Sequence, residues 1–331
     1  MTATIADVAK LAGVSNGTVS KVLKNYTNVS TKTREKVLQA IKELNYVPNS
    51  IASALSSKQY NKIALYIYIN DQHQAIDEIN MQYLQGAFKA AQALDLNAVT
   101  VFSETVSKFN TQELIQYFIS QGIRGIVVYG LNKDDKIIHE IIDKELFKIV
   151  TIDALPIFNS STSAVAVDHE AGQYAVAKKT IEKEYCHKVL YIAGKQNGYV
   201  TDQRISGINN LKAEYQFEMK LVYGDFSEKK AFNIVKHYGD WADTIVCASD
   251  LMAIGAVNAL IQMNIFRRVC GYDGISLMGY AGHQMLTCKQ DFKETSKVAI
   301  EEMWRLIQGG EGKQIKLPYK VVSIKYEDVI N

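Results

Sequence analysis

The chemistry this chain can perform is limited first by what its reactive side chains lack. Cys186, Cys247, Cys270 and Cys288 are scattered and form no CxxC pair, so they suit neither a disulfide scaffold nor a zinc site, and they fit a reducing, cytoplasmic setting. His73, His139, His169, His187, His237 and His283 include no pair at metal-binding helical spacing, and GxSxG, HExxH and P-loop sequences are absent. No GxGxxG follows the first apolar run, Lys62–Ile69, which argues against a dinucleotide site. An enzyme is therefore not expected, nor a cofactor or a bound metal. Two carboxylates stand out instead. Asp153 and Asp273 each end an apolar β-type run, and parallel sheets hold their ligands at the carboxyl ends of strands. Hydrogen-bonding recognition of a small molecule is the chemistry that placement suits.

The charge is unevenly divided along the chain. Residues 1–60 carry eight basic side chains (Lys10, Lys21, Lys24, Lys32, Arg34, Lys36, Lys42 and Lys58) against Asp7, Glu35 and Glu43, a net of +5 within a total of +2. The other 271 residues therefore carry −3. A basic head on a mildly acidic body suggests a polyanion as partner of the head, although a solvated basic helix would show the same excess.

The elements that must position these groups fall into two textures. At the start, Thr4 and Asp7 have capping-box spacing, and Ile5, Val8, Ala9 and Ala12 repeat at helical intervals until Gly13. Ser15 offers a second N-cap for a helix through Val19 and Val22, so Gly13-Val14-Ser15 becomes a tight inter-helix turn and the pair a helix-turn-helix. Ser30 opens a third helix with Val37, Ile41 and Leu44 on one face, closed by Asn45-Tyr46-Val47-Pro48. A fourth segment, Ile51 to Ser57, is too short to be stable unsupported.

From Lys62 the texture changes. Apolar runs at Lys62–Ile69, Asn97–Phe102, Gly125–Gly130, Lys148–Asp153, Lys188–Gly194, Leu221–Phe226, Thr244–Ser249 and Val269–Asp273 alternate with helical stretches such as Glu78–Leu94, Thr111–Gln121, Gly172–Glu184, Lys229–His237 and Leu251–Met263. That alternation predicts α/β architecture with parallel sheets. The 331 residues are enough for two or three compact units. Pro48, Pro156 and Pro318 mark junctions, with a lobe break near Pro156. No apolar run approaches the roughly 20 residues of a membrane span, and Asp7 and Lys10 interrupt any secretory leader.

The stretch Thr4-Ile5-Ala6-Asp7-Val8-Ala9-Lys10-Leu11-Ala12-Gly13-Val14-Ser15, with Thr18-Val19-Ser20, Val29-Ser30 and Thr33-Arg34-Glu35-Lys36-Val37, resembles the DNA-binding head of the lac repressor (LacI/GalR) family of bacterial regulators. Leu44-Asn45-Tyr46-Val47-Pro48-Asn49 with Ala52 and Leu55 resembles that family's hinge. The likeness continues through Asp168-His169-Glu170-Ala171-Gly172, Asp202-Gln203-Arg204-Ile205-Ser206-Gly207, Ser249-Asp250-Leu251-Met252-Ala253-Ile254-Gly255, Gly271-Tyr272-Asp273-Gly274, Leu286-Thr287 and Gln290-Asp291-Phe292. The resemblance implies a helix-turn-helix head at 1–47, a hinge helix and linker at 48–60, and a two-lobed core like a type I periplasmic binding protein at 61–331. Its N-lobe is expected at about 61–156 plus 291–317, and its C-lobe at about 157–290 plus 318–331.

The resemblance also implies roles. Asn16, Gly17 and Lys21 take base-reading positions, and Thr4, Ser15, Thr18, Ser20, Asn28, Ser30 and Thr33 phosphate-contacting ones, though Ser15 and Ser30 suit helix capping and Thr18 packing equally well. Lys21 stands where relatives often carry Arg, and Lys lacks the bidentate fork for guanine. Leu55 matches the wedge that opens a minor-groove step, beside the small Ala52. Arg204 and Asp273 match effector-contacting positions, with Asp153, Ser249 and Gln290 as further polar candidates and Phe226 and Phe292 as stacking surfaces. A lobe-internal Arg204–Asp273 ion pair is the alternative, while Asp250 and Asp168 suit helix caps. The function implied is a cytoplasmic homodimeric repressor of a carbohydrate operon, released from a palindromic operator by a sugar or sugar-phosphate. A corepressor- or protein-responsive regulator and a sugar receptor without DNA function are the alternatives. The final residues add no apolar heptads of the kind a tetramerising tail needs.

Overall fold

The computed structural model describes residues 4–23, 29–44, 61–68, 76–182 and 186–330. Asn28, Ala52, Leu55 and the hinge segment 48–60 lie outside the described residues. The chain divides into two compact units, Met1–Tyr60 and Asn61–Asn331.

In the first unit, α1 (Ile5–Ala12), α2 (Asn16–Leu23) and α3 (Thr31–Glu43) enclose Val8, Ala9, Ala12, Val19, Val22, Val37 and Ala40. The capping box forms: Thr4 donates from its backbone N–H at 2.8 Å and its hydroxyl at 2.6 Å to Asp7 Oδ2. Gly13 ends α1 at φ 65°, a left-handed turn that a side chain resists, and this allows α2 to begin within three residues. Ser15 and Ser30 are used alike. Each hydroxyl accepts from the backbone N–H three residues on, Thr18 or Thr33, at 3.2 Å, and pairs with that threonine's hydroxyl at 2.9 and 2.8 Å.

The second unit holds two six-stranded sheets. The first comprises β1 (Lys62–Ile67), β2 (Asn97–Phe102), β3 (Gly125–Tyr129), β4 (Lys148–Ile152), β5 (Thr162–Val167) and β11 (Gln314–Leu317), in the order β11-β5-β4-β3-β1-β2. The second comprises β6 (Lys188–Ala193), β7 (Glu218–Tyr223), β8 (Thr244–Cys247), β9 (Arg268–Asp273), β10 (Leu286–Lys289) and β12 (Lys320–Ser323), in the order β12-β10-β9-β8-β6-β7. Among the described residues, every pairing between these strands is parallel except β10 with β12. Strands such as Gly125–Tyr129 and Thr162–Val167 are buried throughout, as sheets covered by helices on both faces require.

The helices of this unit are α4 (Ile76–Ala93), α5 (Thr111–Ser120), α6 (Lys136–Asp143), α7 (His169–Ile181), α8 (Tyr199–Tyr215), α9 (Glu228–Tyr238), α10 (Asp250–Met263), α11 (Phe292–Ile307) and α12 (Glu327–Ile330). No helix among the described residues is long and apolar enough to cross a membrane.

Two expectations need correction. The lobe break does not fall at Pro156, because the following strand β5 pairs with β4 through Ile149↔Thr162 to Ile152↔Val165. Pro156 merely occupies the exposed turn between them. The chain passes between sheets after Val167, after Lys289 and after Leu317, and only the last of these is marked by a proline, Pro318. The strand expected at Leu221–Phe226 lies three residues earlier. Asp225 and Phe226 adopt φ of 53° and 60°, which no extended strand can include.

Candidate functional site

On the helix-turn-helix, Val19 and Val22 point into the head's core while Asn16, Gly17 and Lys21 are exposed on the other side of α2. One 3.6-residue period thus separates packing from presentation. Thr4, Ser15 and Ser30 are exposed, and Thr18, Ser20 and Thr33 half-buried, so the hydroxyls that cap helices also lie at the surface.

In the second unit a buried polar group joins the two sheets. Arg204, on α8, is 3% exposed. Its Nη2 donates to Asp273 Oδ1 at 3.2 Å, its Nη1 donates to the Ala248 carbonyl, and its guanidinium lies 3.6 Å from the centre of the Tyr272 ring. A charge this deep is tolerable because it is paired, hydrogen-bonded and stacked at once. Gln290 donates from Nε2 to the same Asp273 oxygen at 3.1 Å. Asp153, at the end of β4, accepts from Tyr83 at Oδ2 (2.9 Å) and from His169 at Oδ1 (3.0 Å). His169, the first residue of α7, is 1% exposed and also lies 3.2 Å from the Tyr272 hydroxyl and 3.4 Å from Arg204 Nη2 through Nδ1.

The two carboxylates experience different fields. Burial pushes Asp273 up to about 6 in spite of Arg204 and Gln290. Burial also opposes ionisation of Asp153, but the bonds from His169 and Tyr83 and the charge of Arg204 outweigh it and hold this carboxyl below its ordinary range. His169 is kept neutral by burial, which lowers its pKa against the pull of Asp153.

Four of the expected effector residues, Arg204, Asp273, Asp153 and Gln290, therefore meet in one group. The lobe-internal Arg204–Asp273 pair is present within it. Ser249 is buried next to the Arg204 anchor at Ala248, but its hydroxyl caps α10 by accepting from Met252 N at 3.3 Å. Phe292 is buried against Tyr83, ring centres 5.2 Å apart, as part of the first sheet's core. Phe226 is half-buried with its ring against Gly194, so closely that a Cβ there would lie 2.1 Å from Phe226 Cζ. Asp168 does cap α7, accepting from Ala171 N at 3.0 Å. Asp250 does not cap α10, since Ser249 holds that place. Its carboxylate instead accepts from Gly274 N at 2.6 Å and Ile275 N at 2.9 Å.

Tyr83, His169 and Tyr272 were not among the expected site residues. His169 and Tyr272 adjoin Asp168 and Asp273 in sequence, a local signal, whereas nothing in α4 distinguishes Tyr83 from a core aromatic.

The lobes also meet at two rims. On one, Glu78 of α4 accepts from Ser276, at 3.0 and 3.1 Å from its backbone N–H and 2.7 Å from its hydroxyl. On the other, Lys133 N donates to the Asn197 carbonyl at 2.9 Å, the Lys133 ammonium pairs with Asp202, and His139 Nε2 lies 2.7 Å from the Tyr199 hydroxyl.

Comparison with known proteins places both units. Residues 4–49 match the family described as bacterial regulatory proteins, lacI family, and residues 69–311 match the periplasmic binding protein domain. The HTH-type transcriptional regulator CelR of Thermobifida fusca is 28% identical over 92% of this chain and 90% of its own length. The lactose operon repressor of Escherichia coli strain K12 is 28% identical over 97% of this chain and 90% of its own. Among solved structures, a transcriptional regulator CelR–cellobiose complex covers 97% of this chain and 99% of its own with a TM-score of 0.70 at 23% identity.

Proposed function

This chain belongs to the lacI family of bacterial regulatory proteins, with a periplasmic binding protein domain as its body, and from that footing we propose that it is a cytoplasmic, homodimeric repressor of a carbohydrate-utilisation operon, released from a near-palindromic operator by a sugar or sugar-phosphate held between its lobes. The observation that carries the effector reading is the convergence of Arg204, Asp273, Asp153 and Gln290 on one buried group shared by both sheets. Two carboxylates supply acceptors for paired hydroxyl donors, and Arg204 and Gln290 fix the acceptor geometry of Asp273. The cellobiose carried by the CelR structure supports a saccharide as the ligand class.

For DNA, Asn16, Gly17 and Lys21 are read as facing bases, and Thr4, Ser15, Thr18, Ser20, Asn28, Ser30 and Thr33 as facing phosphates. Ala52 and Leu55 are read as entering the minor groove from the hinge. One head spans few base pairs, so a two-fold dimer with half-sites about 10 base pairs apart is the arrangement that yields specificity. Mobility shifts on the DNA upstream of its own gene and its neighbours test this. Salt-sensitive, sequence-selective binding, weakened steeply between about 50 and 200 mM salt, is expected. Binding that ignores sequence would overturn the proposal. For the effector, a thermal-shift panel of sugars and sugar-phosphates should give a hit that weakens operator binding. Asp273→Ala should lose that response and keep repression.

A further inference from the structure

The group shared by the lobes contains one side chain that touches both. Asp153 belongs to the first sheet, whereas Tyr272 and Asp273 lie on β9 of the second and Arg204 on α8 beside it. His169 opens α7, at the point where the chain has just left β5 for the second lobe. Its ring is held by chemistry in one tautomer. A carboxylate only accepts, so the 3.0 Å contact to Asp153 Oδ1 requires the proton on Nε2, which leaves Nδ1 to accept from the Tyr272 hydroxyl at 3.2 Å and Arg204 Nη2 at 3.4 Å. The hydrogen bonds therefore run in one direction, from the second lobe through His169 into the first lobe's carboxylate. Tyr83 closes the other Asp153 oxygen at 2.9 Å, its own ring wedged 5.1 Å from Tyr129 and 5.2 Å from Phe292. Asp153 thus takes one partner inside the protein on each oxygen, which leaves each a second lone pair, while Asp273 receives both of its bonds on Oδ1.

We propose that His169 is a positioning residue that locks the two lobes together at the floor of the cleft, setting the separation of Asp153 and Asp273 and holding both rims in register. This rests on the reading of the shared group as the effector site. Its consequence is that the rims close as a result of the floor: the Glu78–Ser276 and Lys133–Asn197 contacts form because His169 fixes the lobe angle. A residue that merely fills space under Tyr272 would stabilise the second lobe and leave the rims alone.

Two backbone amides report on this directly. Ser276 N–H and Lys133 N–H donate across the lobes on opposite rims, so their hydrogen exchange measures lobe opening without any effector or DNA. Exchange would be followed at residue resolution in the full chain for the wild type, His169→Ala, His169→Gln and His169→Asn. A glutamine amide reaches the Nε2 position and can donate to Asp153, whereas asparagine is too short. Exchange at both rim amides should be at least tenfold faster in His169→Ala and His169→Asn, and within about threefold of wild type in His169→Gln. Should His169→Ala fail to fold, the Gln and Asn pair still decides. Wild-type exchange at the rims in His169→Ala, equal behaviour of Gln and Asn, or acceleration confined to amides of the sheet cores such as Val127 and Val246 would each overturn the proposal. Operator mobility shifts on the same proteins test the regulator reading separately.

Discussion

Asp153 and Asp273 occupy equivalent stations in the two lobes. The strand orders of the sheets correspond one to one, β4 to β9 among them, and each aspartate sits at the carboxyl end of its strand with φ of 62° and 115° respectively. That left-handed turn aims both carboxylates out of their sheets, into the group that Arg204 and His169 fill. Equivalent backbone, however, does not make equivalent acids: Asp153 takes two donors on two oxygens, and Asp273 is buried beside a second carboxyl, Asp250, that is itself pushed well up by burial.

The first prediction follows from that difference. Burial pushes Asp273 up to about 6 from the ordinary carboxylate value near 4, so between those values the native state binds more protons than the unfolded one, and stability falls as pH rises from about 4 to 6. Asp153, Asp168 and Glu302, all lowered, act in the opposite sense, losing stability as pH falls below the ordinary carboxylate range. Subtracting the Asp273→Asn denaturation curve from that of the wild type isolates the first effect. The difference should decline between pH 4 and 6 and be level above about 7. Parallel curves would show that Asp273 ionises normally.

Asp250 gives a stability prediction. Its Oδ2 accepts from Gly274 N and Ile275 N, tying the chain that follows Asp273 into its turn. Asp250→Ala leaves Ile275 N without its acceptor and Gly274 N with only the Thr287 hydroxyl, at 3.2 Å, so chemical denaturation should show a loss of about 1–3 kcal/mol. Asp250→Asn keeps a carbonyl acceptor and should lose clearly less.

Gly207 tests how α8 carries Arg204. A Cβ at this position would lie 2.2 Å from the Glu170 carbonyl oxygen of α7, backbone that cannot swing aside. Gly207→Ala must push the two helices apart, which costs about 1–3 kcal/mol as an overpacked contact. It should also lengthen the Arg204–His169 contact. A variant as stable as the wild type would mean that α8 has room to shift.

The head and the strand-helix alternation were legible because their signals are local. The Thr4–Asp7 box, Gly13, and Ser15 and Ser30 each act within four residues. The run that forms β5 is absent from the expected strands, and its pairing with β4, a non-local fact, is what shows that the chain stays in the first lobe past Pro156. The polar α8 went unmarked because its buried positions include Thr201, Arg204 and Gly207 where an apolar stripe would be sought. Strand ends and family motifs single out Asp153, Arg204, Asp273 and Gln290, and these four meet in one buried group. They do not single out Tyr83, since its role depends on a hydrogen bond to a residue seventy positions away.

On the DNA side, Lys21 and Gly17 are exposed on the same helix that buries Val19 and Val22, and they should respond differently to substitution by alanine. On the proposed reading of Lys21 as a base-reading residue, Lys21→Ala removes that donor, so operator affinity should fall by about 1–3 kcal/mol with relaxed preference at one operator position. Gly17→Ala replaces the poorest ordinary helix former with the best, and the nearest atom to the added Cβ is Ser15 Oγ at 3.8 Å, an uncrowded contact. The head should therefore gain up to about 1 kcal/mol in stability. If the bare backbone at Gly17 is what lets α2 approach the groove, that same variant binds its operator more weakly although it folds more firmly. Thermal unfolding of the head and titration against a panel of operator variants read the two effects independently. A Gly17→Ala protein that is both more stable and equally tight would remove Gly17 from the interface, and equal weakening on all sequences by Lys21→Ala would make Lys21 a phosphate contact.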